Sequence, residues 1–346
     1  MITCHECREK PAAKAIGMCA DCLRNISSVQ KLIELHRNIR KRYGLPQNPP
    51  KNSDGIGCNL CANNCRMAPG EKGYCGLRQN EDGKLIDFAR RKGGALAYMY
   101  LDQLPTNCCA AWFCNGSKKG GYNLAVFFYG CNFDCMFCQN ASHKLIKEAP
   151  GVTQEEMVQR ALDPKVCCVC FFGGSPEPQL PFALAVACKI VKESGNSKHI
   201  CWEWNGCGNP ELVKKASELS AMSGGTVKFD LKCSDSNMSY ALCGVSNQKA
   251  FENFMLIATC GYQDSLNATT LLVPYYVDKK EVEKTARFIS RIGSHIPYSL
   301  LVFHPDFYMK DLPITPRIQV DECYQAATSY LTRVNIGNKH LLQYAK

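Results

Sequence analysis

The sequence predicts an α/β protein: a partial, open (β/α)6 TIM-like barrel with N-terminal cysteine-rich metal-binding segments. Three observations carry that prediction. From residue 121 onward, short apolar or β-branched runs alternate with stretches of helical length, the pattern of βα units on a parallel sheet. Those runs number six, two short of a closed eight-stranded barrel. Many of the 24 cysteines stand in closely spaced pairs, which in a reducing compartment points to metal ligands rather than disulfides.

Along the chain, residues 1–22 carry Cys4/Cys7 and Cys19/Cys22. This is zinc-ribbon-like spacing on a segment too short to fold without a staple. Residues 23–55 read as a helix and a linker. Leu23, Ile26, Val29, Ile33 and Leu35 have roughly helical spacing up to Gly44, with RNIRKR in the last turns. LPQNPPKNSDG follows as linker. Residues 56–120 form a cysteine-rich accessory segment of weak periodicity, and 121–346 the barrel. Its strand-like runs are LAVFFYG, VCCVCFFGG, HICWEWNG, VKFDLK, NATTLLVP and YSLLVFHP. Between the later runs, stretches such as ELVKKASEL and EVEKTARFI repeat apolar residues near the 3.6 period. Reactive side chains are expected at the C-terminal strand ends.

Composition narrows the class. No apolar run reaches the ~18–20 residues that span a bilayer, and MITCHECREKPAAK lacks an apolar signal segment. The expectation is a cytoplasmic protein with no membrane partner. The formal charge of +10 counts cysteines as neutral. Two Cys4 zinc sites and one three-cysteine cluster would lower it to roughly +5, too little to argue for nucleic acid. Cys167, Cys168, Cys170, Cys188, Cys201 and Cys207 lie in apolar or strand-like surroundings and read as small buried hydrophobes.

The first barrel run ends at Gly130 and leads into Cys131-Asn-Phe-Asp-Cys135-Met-Phe-Cys138. Three thiolates on one short loop can ligate three irons of a [4Fe–4S] cube and leave the fourth open. The second run ends in FFGGSPEP, where Gly173 and Gly174 let backbone approach a ligand. Asp230 and Lys232, two apart on a strand, share one face and can converge on one ligand.

With these motifs the chain resembles the radical S-adenosylmethionine (SAM) superfamily, across about residues 56–340. WEWNG, FDLK and ALCGVSN resemble the branch containing pyruvate formate-lyase activating enzyme. CNLCANNCRMAPGEKGYCGLR and FHPDFYMKDLPITP resemble its AmmeMemoRadiSam-type relatives more closely. The resemblance implies that SAM chelates the open iron and is cleaved by one electron, releasing a 5′-deoxyadenosyl radical. It implies that Phe137 packs on the adenine, and that Gly173, Gly174, Ser175 and Glu177 of the Gly-Gly-x-Pro-Glu motif hold the methionine amino group. Glu203, Asn205 and Asp230 close strands three and four, whose acids bind a monovalent cation in that branch; here Glu203 replaces its Asp. Lys232 would face the SAM carboxylate, and His304 the ribose. Hydrogen abstraction that modifies or activates a protein, as in glycyl-radical activation, is implied with it, the alternative being radical chemistry on a small molecule or peptide; a reduced ferredoxin or flavodoxin-type donor is implied in either case. A further departure is that VNIGNKHLL runs on without the cysteine pair such relatives tend to carry.

Cys58, Cys61, Cys65 and Cys75 supply four thiolates, so whatever they hold is closed: a zinc ion or an auxiliary [4Fe–4S] cluster. Cys108, Cys109 and Cys114 stand nearby in sequence. A reading of another class is a non-catalytic metal-bound module, with the ribbon and RNIRKR docking to RNA or protein.

Overall fold

The structure, a computed structural model, describes residues 1–344. The chain opens on a hairpin of β1 (Ile2–Thr3) and β2 (Pro11–Ala12), followed by α1 (Ala20–Arg24). Cys4, Cys7, Cys19 and Cys22 bring their sulfurs within 4.8 Å of one another, and Cys7 and Cys19 are 3.9 Å apart. Tetrahedral zinc with ~2.3 Å bonds needs sulfurs about 3.8 Å apart, so the four thiols fit that ion. The knuckle is tied to the body: the Tyr276 hydroxyl accepts from the Ala13 amide at 2.8 Å and donates to the Met18 carbonyl at 2.9 Å. Arg24 reaches Asp278 at 2.9 Å and Glu281 at 3.3 Å.

The single helix expected from Leu23 to Gly44 is broken: Leu23 belongs to α1, which ends at Arg24, and α2 (Val29–Arg42) starts afresh after Ser28. Residues 56–94 then make two antiparallel hairpins, β3 (Ile56–Cys58) with β4 (Cys65–Met67) and β5 (Arg78–Glu81) with β6 (Lys84–Asp87), before the short α3 (Phe88–Arg91).

The main sheet begins earlier than residue 121, with β7 (Ala95–Gln103), which pairs antiparallel with β8 (Tyr122–Phe128) and with β9 (Gly151–Val152). After α4 (Gln154–Ala161) come the alternating units: β10 (Val166–Gly173), α5 (Leu180–Glu193), β11 (His199–Trp204), α6 (Pro210–Ser223) and β12 (Val227–Asp230). Two helices, α7 (Ser236–Cys243) and α8 (Gln248–Thr259), separate β12 from β13 (Leu266–Leu272). The chain ends in α9 (Lys279–Ile292), β14 (Tyr298–Val302), α10 (Arg317–Thr328) and β15 (Val334–Gly337). All six expected strands are parallel neighbours, in a sheet ordered β15-β14-β13-β12-β11-β10-β8-β7-β9. The sheet is nine strands wide, because β7, β9 and the parallel β15 extend it at both edges.

Strand alternation sorts the side chains. In β11, Ile200, Trp202 and Trp204 are buried while the residues between them are half-buried. Trp202 donates its indole N–H to the Ala216 carbonyl of α6 at 2.9 Å, so Glu203 faces the other, concave side. Local signals start and stop the helices. Asn209 caps α6 ahead of Pro210, and Gly224 ends it in the left-handed region at φ +70°. Among the described residues, no helix is long and apolar enough to cross a membrane. Of the cysteines expected to be buried, Cys188 is exposed and Cys167 and Cys201 are half-buried.

The four N-terminal thiols predict a structural metal. Cys4→Ala is expected to lose bound zinc, measured by elemental analysis, and to lower the unfolding midpoint. An unchanged zinc content would exclude the ion from this site.

Candidate active site

The C-terminal ends of β8 and β10 to β14 converge on a cavity of about 310 Å³. It is lined by Cys131, Cys135 and Cys138 together with Phe137, Gly173, Gly174, Ser175, Glu203, Asn205, Asp230 and Lys232. The site residues expected from four different stretches of sequence are thus brought to one place.

Gly130 makes the turn out of β8 at φ +83°, conformational space that favours glycine. The cluster loop is then held along its backbone. The Asp134 and Met136 amides donate to the Cys243 and Leu242 carbonyls, both at 2.9 Å, at the end of α7. The Asn63 side chain donates to the Asn132 carbonyl at 2.7 Å, tying the β3–β4 connection to the loop. The Asp134 side chain is fully buried and meets two cations and an imidazole: Lys144, Arg40 at 3.4 Å and His36 at 3.0 Å. Burial would raise its carboxyl; the hydrogen bond from His36 and the charges of Lys144 and Arg40 outweigh that and hold it well below the carboxylate range.

The three thiols are not equivalent. Burial pushes Cys131 well up and Cys138 up to about 11. Cys135 is lowered, first by a hydrogen bond from the Cys243 thiol and, against burial, by the charges of Lys232 and Lys144. The Phe133 amide donates to the Cys131 sulfur at 3.3 Å. Three converging sulfurs with lysines beside them suit an iron–sulfur cluster.

Around the loop the cavity wall is glycine by necessity. A Cβ on Gly174 would lie 2.3 Å from the Gly130 carbonyl oxygen and 2.8 Å from the His143 ring, and one on Gly173 would lie 2.5 Å from the Phe128 nitrogen. Asn205 ties the wall together, donating to Ser175 Oγ at 2.9 Å and Asn132 Oδ1 at 2.7 Å. Opposite, Lys232 lies 3.2 Å from Asp230 and 5.8 Å from the centre of the Phe137 ring. Burial would lower the lysine; Asp230 and then Cys135 overcome it, so its charge is retained. An aromatic face, a fixed ammonium and glycine-bared backbone fit an adenosyl amino acid. His143 adds an orphan: it lines the cavity, its Nδ1 has no partner, and burial keeps the ring neutral by driving its pKa well down.

Two expected residues lie elsewhere. His304 is half exposed, pairs with Asp306 at 3.0 Å and does not line the cavity. Glu177 is fully buried beneath it; Oε1 accepts from the Gly206 amide at 2.8 Å and Oε2 has no partner. The acids that the resemblance assigns to a monovalent cation are bridged by Lys228, whose Nζ lies 2.9 Å from Glu203 and 3.6 Å from Asp230. Cys109 also donates to Glu203, at 2.9 Å. The sequence reading missed Lys228, His143, Asp134 and Cys243. For Lys228 a signal existed: it alternates with Asp230 and Lys232 on one strand face. Within RNIRKR, Arg40 is 1% exposed and committed to Asp134, whereas Lys41 and Arg42 are exposed.

Two predictions follow from the buried carboxylates. Asp134→Asn leaves Lys144 and Arg40 without their counter-charge; removing one partner of a buried pair costs about 3–5 kcal/mol, to be read as a lower urea midpoint of the apoprotein. For Glu177, burial pushes the carboxyl up to about 7 from 4.5, against hydrogen bonds from Ser175 and the backbone. The folded state then keeps a proton that the unfolded chain has released, so stability falls as pH rises through that window. Glu177→Gln is expected to flatten this dependence in denaturation measured on either side of the window, and an unchanged slope would contradict the assignment.

Comparison with known proteins bears on the family of the chain. The model of the Radical SAM superfamily matches residues 125–289. An uncharacterized protein of Methanocaldococcus jannaschii is 25% identical over 267 residues, covering 75% of this chain and 74% of its own. Another from that organism, provisionally named a glycyl-radical enzyme activating enzyme, is 26% identical over 51% of this chain and 68% of its own. The pyruvate formate-lyase-activating enzyme of Clostridium pasteurianum is 27% identical over 53% of this chain and 76% of its own.

Proposed function

Residues 125–289 are a radical SAM domain, a family of enzymes that use SAM and a [4Fe–4S] cluster, and on that premise we propose that this enzyme cleaves SAM reductively and abstracts hydrogen from a protein substrate. The observation that carries the proposal is the convergence of Cys131, Cys135 and Cys138 with Gly173, Gly174, Asp230 and Lys232 on one cavity. Bound there, the cluster and SAM supply one-electron cleavage of a carbon–sulfur bond.

The residues have separable tasks. Cys131, Cys135 and Cys138 would hold three irons of the cluster, and with no fourth cysteine on their loop one iron would stay open to SAM. Lys232 offers its ammonium to the SAM carboxylate, and Phe137 offers a face to the adenine. Gly173, Gly174 and Ser175 present backbone and a hydroxyl to the amino acid end. His143, neutral and unpartnered at Nδ1, is a further polar contact for the nucleoside. Asn205 positions the Ser175 wall against the cluster loop.

The names of the distant relatives support a protein substrate in the manner of glycyl-radical activation. A reduced ferredoxin or flavodoxin-type donor would supply the electron. A reducing cytoplasm suits the 24 free thiols.

Anaerobically reconstituted enzyme given dithionite and SAM is expected to form 5′-deoxyadenosine, and Cys135→Ala to form none above background. Equal product from the variant would sink the proposal. Mass spectrometry of candidate proteins after the same incubation tests the substrate class.

A further inference from the structure

We propose that Cys58, Cys61, Cys65 and Cys75 hold a second, closed [4Fe–4S] cluster, and not zinc, against the wall of the radical SAM site. The four thiols come from the β3–β4 hairpin and the turn after it. Cys58 and Cys65 face each other across the hairpin, Cys61 lies in its connection, and Cys75 precedes Gly76. All four line one small internal cavity with Tyr74 and Arg78, so they form a shared donor set.

Size decides what that set fits. Tetrahedral zinc draws four sulfurs to about 3.8 Å from one another. Among the described residues, Cys4, Cys7, Cys19 and Cys22 are the only group of three or more ligating side chains whose donor atoms all lie within 4.8 Å. The middle set is more open than that. In this it matches Cys131, Cys135 and Cys138, which also fall outside that distance and belong to a loop that takes a cluster. A [4Fe–4S] cube spreads its thiolates because each binds a different iron at a different corner. One molecule thus offers a zinc-sized set and two wider ones, and the middle set is wide. Four ligands leave no open iron, so this cluster does not bind SAM. The Tyr74 amide donates to the Cys65 sulfur at 3.4 Å, a contact that stabilises thiolate charge.

Placement gives the cluster a task. A Cβ on Gly130, the residue before Cys131, would lie 3.3 Å from the Cys75 carbonyl oxygen. Asn63, between Cys61 and Cys65, donates to the Asn132 carbonyl at 2.7 Å. A side-chain hydrogen bond and a close approach of Gly130 to Cys75 thus join the two sites. On the outer side Cys58 and Arg78 line a surface groove of about 920 Å³ that also holds Arg90 and Arg91. Reduced by one electron from an iron–sulfur or flavin protein, the [4Fe–4S]²⁺ cluster becomes [4Fe–4S]⁺ and returns by passing that electron to the barrel cluster. No bond or proton changes. This carrier role, unlike the site itself, rests on the proposed radical chemistry.

The test is iron counting with spectroscopy on the full chain. Fully loaded wild type is expected to hold about eight irons and the Cys131→Ala/Cys135→Ala/Cys138→Ala variant about four, as a cluster whose EPR signal SAM leaves unchanged. Wild type with about four irons, and the variant with none but with zinc at two sites, would overturn the proposal while leaving the radical SAM reading intact. Four irons in the variant alongside a wild type that cannot cleave SAM would do the reverse. If the triple variant does not fold, Mössbauer spectra of wild type answer the same question: SAM should perturb one iron of about eight, and one of about four would overturn the second cluster. Reduced flavodoxin should bleach the variant's visible absorbance, and a cluster that stays oxidised with that donor would overturn the carrier role.

Discussion

The buried carboxylate of Asp134 is the point on which the site turns. It lies in the cluster loop between Phe133 and Cys135, fully out of solvent, against Lys144, Arg40 and His36. His36 and Arg40 come from α2 and Lys144 from the segment after the loop, so one charge centre fixes both relative to the cysteines. Lys144 or Arg40 buried alone would cost several kcal/mol; paired with Asp134 they are neutralised and oriented. Arg40 also covers the Tyr74 ring at 3.4 Å from its centroid and donates to the Tyr74 carbonyl. The same network therefore reaches the residue beside Cys75. Positional precision around a cluster comes from such surroundings as much as from the ligands themselves.

The parts of the fold that were legible share one property: their pattern is local. The six parallel strands are continuous apolar runs because both sheet faces are covered, and the cluster loop is a contiguous motif. What was missed depends on distant partners. β7, ALAYMYLDQ, mixes buried and exposed residues as an antiparallel strand near the sheet edge does, and Tyr98 and Leu101 are exposed. α7 is eight residues long, too short to establish a period. β15 lies inside VNIGNKHLL, which carries no strand-length apolar run.

The same division holds for the candidate site. Cysteines, glycines and the Asp230/Lys232 pair announce themselves by spacing. Arg40 reads as part of a surface charge run because its counter-charge is remote in sequence, and His143 reads as an ordinary histidine. His304 shows the converse, since a motif position carried it toward the site in sequence while the chain leaves it half exposed beside Asp306. Resemblance transfers a residue's name more readily than its rotamer.

Lys228 carries a consequence of its own. Its ammonium stands between two acids on the barrel floor, attached to the strand that also bears one of them. A diffusible ion would occupy such a place only in proportion to its concentration, filling and emptying with the medium. A tethered charge is present at a high effective concentration set by the backbone. Neutralisation of the floor is thereby written into the polypeptide, and it stays constant whichever salts the cell accumulates.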